Sequence, residues 1–177
     1  MKLKDRDAFY ETMYFHELAE RDRLDDRFRT LLSIVAIVFT LLAWLFNAVV
    51  LSSSGTSMLF WMVYASAAIA FGAAIVCYVK AWHSQYYNAL PPLPGIEQYI
   101  AQIRAHYQEQ ANEQVAEQWT EEAFSDFMRQ SFVEHTSFNQ RANDNKRFWL
   151  YYGNSFIVAA FVFGVMAGLT VVDRLIA

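Results

Sequence analysis

Residues 30–79 read TLLSIVAIVFTLLAWLFNAVVLSSSGTSMLFWMVYASAAIAFGAAIVCYV. These fifty positions, between Arg29 and Lys80, contain no Asp, Glu, Lys or Arg. A helix crossing a hydrocarbon core of about 30 Å needs about 20 apolar residues. The run is therefore long enough for two crossings and must fold back. The turn is marked by Ser52-Ser53-Ser54-Gly55-Thr56-Ser57, a cluster of capping and turn residues with no apolar member. This pattern predicts span one over residues 30–51 and span two over 58–79. A second uncharged run, 148–172, predicts a third span. Strands of about ten residues with alternating polarity, the signature of a membrane barrel, are not present in the sequence.

Composition agrees. Of 177 residues, 55% are hydrophobic and only 18% charged, against about 25% charged in soluble domains. An ordinary soluble domain is excluded. Cys77 is the only cysteine and lies inside a span, which excludes a disulfide-stapled module. The first apolar stretch begins some thirty residues in and is too long for a signal-peptide core, so no cleavable leader is expected.

Basic residues set the predicted orientation. Residues 1–29 hold seven Lys or Arg and residues 80–147 hold six, whereas the Ser/Gly/Thr turn holds none and only Arg174 follows the last span. By the positive-inside rule the N-terminus and the central segment are cytoplasmic, with the turn and C-terminus outside. Trp82, Tyr86, Tyr87, Trp149, Tyr151 and Tyr152 form aromatic belts at the same edge. The expected protein is all-α and integral to the membrane. Its parts are an amphipathic helix over 1–29, a two-helix transmembrane hairpin over 30–79, a cytoplasmic helical hairpin over 80–147, a third transmembrane helix over 148–172 and an external tail over 173–177.

Within the cytoplasmic part, Phe9, Met13, Leu24 and Phe28 fall on a rough helical stripe with acids and bases between them. That helix either packs on the remaining cytoplasmic residues or lies on the bilayer. Leu90-Pro91-Pro92-Leu93-Pro94-Gly95 stops the helix after span two. A helix is predicted from Ile96 to Glu117, thinning into the wholly polar Gln108–Gln114. A second is predicted from Thr120, an N-cap candidate followed by Glu121 and Glu122. No Pro or Gly interrupts the chain from there to Gly153, so this helix is expected to run straight into span three.

No catalytic or metal-binding signature is present. His16-Glu17-Leu18-Ala19-Glu20 lacks the second histidine of a zincin pair. His83, His106 and His135 have no Cys or His at ligand spacing. Neither an enzymatic role nor a cofactor is expected. Gly72 lies in a small-residue stretch of span two, and Gly164 and Gly168 form a GxxxG in span three. Small residues let helices approach closely in lipid, within one subunit or between subunits. Three spans make a slender bundle, so a homo-oligomer is expected. Asn47 and Asn154 are rare polar residues inside spans; they bond to another helix or face a water-filled lumen.

The best ligand-binding candidates lie just before span three. His135, Asn139, Asn143 and Lys146 follow one another at helical spacing, with Arg141 and Arg147 beside them; Arg21 and Arg23 add charge from the N-terminal helix. Such amides and cations hold anionic ligands, or else snorkel to headgroups and cap the helical hairpin. The net charge of −4 argues against a duplex nucleic-acid surface, though not against a short oligonucleotide in a local basic funnel.

This layout, together with Phe138-Asn139-Gln140-Arg141-Ala142-Asn143-Asp144-Asn145-Lys146-Arg147 leading into the last span, resembles small bacterial anti-phage membrane effectors. The nearest groups are the SLATT type and the membrane effector of the Hailong defence system. The resemblance implies an oligomer that damages the inner membrane or conducts ions when released. In the Hailong case it implies control by an oligonucleotide made by a partner nucleotidyltransferase. SLATT proteins carry two spans and this chain carries three, so no pore-lining residue is carried over. The expected function is a triggered, pore-forming or membrane-disrupting effector in contact with membrane lipids. The rival is a non-conducting membrane anchor or adaptor for a cytoplasmic complex.

Overall fold

In the computed structural model, residues 3–51, 57–83 and 86–171 are described, with the backbone alone for 3–5 and 51. Helix accounts for 91% of them, and there is no strand among the described residues. The turn at Ser52–Thr56, the tail 173–177, Lys2 and Arg174 lie outside them.

Among the described residues there are four helices: α1 Leu3–Leu51, α2 Met58–His83, α3 Leu93–Gln108 and α4 Glu113–Leu169. Three of them, α1, α2 and α4, are long and apolar enough to cross a membrane. From residue 3 on, the N-terminal stretch and span one, read separately in the sequence, belong to one uninterrupted helix, Leu3–Leu51. Ser57 caps α2, its Oγ accepting from the Phe60 N–H at 3.3 Å.

The central segment corrects two sequence expectations. α3 starts at Leu93 on an extended Pro92 and ends at Gln108, so the wholly polar stretch after it contains a turn rather than more helix. α4 starts at Glu113, and Asn112 is its cap: Asn112 Oδ1 accepts from the Val115 N–H at 3.0 Å. Thr120 is buried inside the helix, and its hydroxyl donates to the Ala116 carbonyl at 2.7 Å.

The chain divides into two compact units. Unit 1 combines Met1–Arg21 with Tyr86–Asn143. Here Tyr99 packs on Phe127 (centroids 4.4 Å apart) and Tyr107 on Trp119 (5.7 Å), so α3 and the start of α4 pass in opposite directions. Tyr14 of α1 packs on Phe132.

Unit 2 combines Asp22–Gln85 with Asp144–Ala177. Its core takes Leu24, Phe28, Val38, Leu42, Leu45 and Val49 from α1, and Phe60, Ala67, Ala74, Tyr78 and Ala81 from α2. From α4 it takes Leu150, Ile157, Ala160 and Ala167. Within each helix these positions are three, four or seven residues apart, with one gap of ten from Phe28 to Val38, the spacing of helices wrapped side by side. Phe60, Ala67, Ala74 and Ala81 repeat every seven, each fully buried, so α2 offers mostly methyl groups to its neighbours. Gly153, Gly164 and Gly168 carry the α4 face inward: the first lies against the Tyr78 ring, the others against Leu41, Leu42 and Leu45.

Candidate functional site

The link from α2 to α3 determines the polar chemistry of unit 1. Residues 86–92 are not helical, and Pro91 and Pro92 contribute no N–H groups. The backbone groups left over need partners from elsewhere. Asn139, fully buried, supplies two: its Oδ1 accepts from the Asn88 N–H at 2.9 Å and its Nδ2 donates to the Asn88 carbonyl at 3.1 Å. The Leu90 N–H donates to the Tyr14 hydroxyl at 3.2 Å.

One turn further along α4, Asn143 is also buried. Its Oδ1 accepts from the Tyr87 hydroxyl at 2.8 Å, and its Nδ2 donates to the Glu17 carbonyl (2.9 Å) and the Glu17 carboxylate (2.8 Å). The Arg21 guanidinium stands 5.5 Å from the centroid of the Tyr87 ring. An amide carries one acceptor oxygen and two donor hydrogens, and Asn143 engages all three inside the protein. Thus Asn139, Asn143 and Arg21 do come together, on the link residues Tyr87 and Asn88. His135 lies outside this network, with its Nδ1 buried and without a hydrogen-bond partner among the described residues. Arg141 is exposed.

A second cluster of unit 1 surrounds Asp7, which takes a hydrogen bond from Ser125 at 3.4 Å and lies 4.0 Å from Arg129; Arg129 also pairs with Asp126. No group of three or more His, Cys, Asp or Glu among the described residues is placed to hold a metal ion.

In unit 2, Lys146 is fully buried and its ammonium pairs with Asp25, whose side chain is one-third exposed. Arg147 pairs with Asp144 at 3.0 Å. Arg23 is exposed. Beside these residues a cleft of about 530 Å³ opens between α1 and α4. Leu24, Leu31, Leu150 and Tyr151 form its walls; Asp26, Arg27, Thr30, Arg147 and Asn154 supply its polar groups. A smaller, almost wholly apolar groove of about 330 Å³ runs along Phe28, Ile75, Tyr78 and Trp82.

On the outside of α1, Ser33, Thr40 and Asn47 are all exposed at seven-residue intervals, with exposed Ala36 and Ala43 between them. The sequence shows Thr40 and Asn47 as isolated polar residues; their common face emerges once the buried side of α1 is fixed. Gly72 also faces outward, with nothing within 4 Å of where a Cβ would stand. Glu17, Tyr87, Asn88 and Asp25 were not among the ligand-binding candidates of the sequence, where Tyr87 reads as part of an aromatic belt. Their only signal is that Asn139, Asn143 and Lys146 share a helix face and need partners.

No protein-family model, curated protein or solved structure matches the chain.

Proposed function

We propose that this protein is a homo-oligomeric membrane effector whose first spans gather around a polar path through the bilayer. The path opens when the cytoplasmic residues respond to a ligand or a partner. One observation carries the reading: the exposed Ser33, Ala36, Thr40, Ala43 and Asn47 face of α1. An amide held against lipid without a partner costs several kcal/mol, on the order of the transfer of such groups into hydrocarbon. Repeating that face around a symmetry axis relieves the cost, by hydrogen bonds between copies or by enclosed water. Elsewhere α1 exposes Ile37, Phe39, Trp44 and Phe46, which suit lipid. The charge asymmetry of the sequence supports an N-terminus in the cytoplasm, and the resemblance supports a bacterial inner membrane. The resemblance to anti-phage effectors supports a defence role with an oligonucleotide or nucleotidyltransferase as trigger.

Planar bilayers doped with the purified full chain test the pore. The wild type is expected to conduct, and Thr40→Leu with Asn47→Leu is expected to conduct far less, while Ile37→Leu behaves as wild type. Bilayers that stay insulating, with protein whose mass in detergent shows an assembly, refute the pore and leave the membrane anchor standing.

A further inference from the structure

We propose that the cleft between α1 and α4 in unit 2 is a binding site for one monoanionic phospholipid, with phosphatidylglycerol chemistry. The inference does not rest on the pore reading. The cleft, about 530 Å³, falls within the roughly 300–1,000 Å³ of small-molecule sites.

Its position along the helices matches the anatomy of a lipid. Arg27 and Arg147 stand within three residues of the uncharged runs that begin at residues 30 and 148. Leu31, Leu150 and Tyr151 line it on the uncharged side, with Asn154 deeper still. From Arg147 to Asn154 the helix rises about 10 Å at 1.5 Å per residue. A phosphodiester between the two arginines would therefore place its acyl chains along the leucines, with Thr30 and Asn154 within reach of the ester oxygens.

Charge separates this ligand from a nucleotide or free polyphosphate. The lining holds two arginines and one carboxylate, Asp26, and with the ion-pair partners of these residues, Arg29 at 3.9 Å from Asp26 and Asp144 at 3.0 Å from Arg147, the formal charge is still +1. That balances a single phosphodiester, and Asp26 repels a ligand carrying several negative charges. Arg147 keeps Asp144 as a neighbour at 3.0 Å; a guanidinium has five donors and serves both. A soluble anion would in addition leave the leucine walls uncovered.

Native mass spectrometry of the full chain, released from nanodiscs of equal phosphatidylglycerol and phosphatidylcholine, reads this directly. The wild type should retain one phosphatidylglycerol per protomer in preference to phosphatidylcholine. Arg27→Gln and Arg147→Gln should each weaken retention about fivefold or more, and Arg141→Gln, exposed on α4 and outside the cleft, should not. Helical circular dichroism and monodispersity confirm that each variant folds. The assignment is overturned if both lipids are retained equally, if a variant combining Arg27→Gln with Arg147→Gln keeps phosphatidylglycerol, or if Arg141→Gln loses as much. Displacement of the lipid by a short oligonucleotide would overturn it in favour of a soluble anion.

Discussion

Replacing Gly153 by alanine should loosen the span bundle, whereas the same change at Gly72 should not. A methyl group on Gly153 would lie 2.7 Å from Cε1 and 3.0 Å from Cδ1 of Tyr78. Carbon atoms in contact sit at about 3.5–4.0 Å, so the ring or the helix must move by roughly 1 Å. Tyr78 has little room: it is 3% exposed and stands edge-on to Phe28, with centroids 6.2 Å apart. Overpacking of this kind costs about 1–3 kcal/mol. Against it stands the gain of about 1 kcal/mol from removing glycine inside a helix. The net loss for alanine is up to about 2 kcal/mol, and larger for valine. The other glycines calibrate the scale. Gly72 has only the helix gain; at Gly168 the new methyl meets Leu45 at an ordinary 3.4 Å, and at Gly164 it meets Leu42 at a tighter 3.2 Å. Stability should therefore fall in the order Gly72→Ala, Gly168→Ala, Gly164→Ala, Gly153→Ala. Unfolding by SDS in mixed micelles, followed by circular dichroism, measures it. Adding Tyr78→Leu should remove most of the penalty at Gly153. If Gly153→Ala resists SDS as well as Gly72→Ala does, the close approach of α4 to α2 is refuted.

Three further outcomes follow from the polar contacts. Asn143→Ala should destabilise unit 1 by about 2–4 kcal/mol, because it strands the Tyr87 hydroxyl and the Glu17 groups, and should speed amide exchange across residues 86–90. An equal exchange rate would count against the network. Asp25→Ala should cost more than Lys146→Met in the same SDS assay. The first leaves a fully buried ammonium unpaired, a loss of about 3–5 kcal/mol, whereas the second leaves a carboxylate with water access. The reverse order would disprove the buried pair. Asn112→Ala should fray the start of α4 by about 1 kcal/mol, read as faster hydrogen exchange at Val115, while Thr120→Val leaves that amide unchanged.

The three membrane-length helices were legible because charge is absent where lipid would exclude it, and Ser52–Ser57 lies at the midpoint of a run twice too long for one crossing. Which face of each helix turns inward was not legible. In spans where nearly every residue is apolar, the pattern that marks buried positions on a soluble helix has almost no polar counterpart. Gly153 illustrates this: Gly164 and Gly168 form a visible motif, yet the tightest contact belongs to the solitary glycine. Among caps, Asn112 and Thr120 are equally able, and the turn after Gln108 decides between them. The candidate site was half legible. The spacing of Asn139, Asn143 and Lys146 places them on one helix face, but nothing local to them announces Glu17, Asn88 or Asp25, which lie 51 to 126 positions away.

The link at residues 86–92 has a consequence for engineering and for sequence drift. The main chain of Asn88 and Leu90 is read by side chains much as one strand is read by another, and Tyr87 docks through its hydroxyl, so each of the three has an assigned docking point. One inserted or deleted residue would put every later position out of step. The other connection of unit 1, at Glu109–Asn112, is held only by its own helix ends. An epitope or fluorescent insert belongs there, and homologous chains should vary in length there while keeping the proline-containing link at constant length.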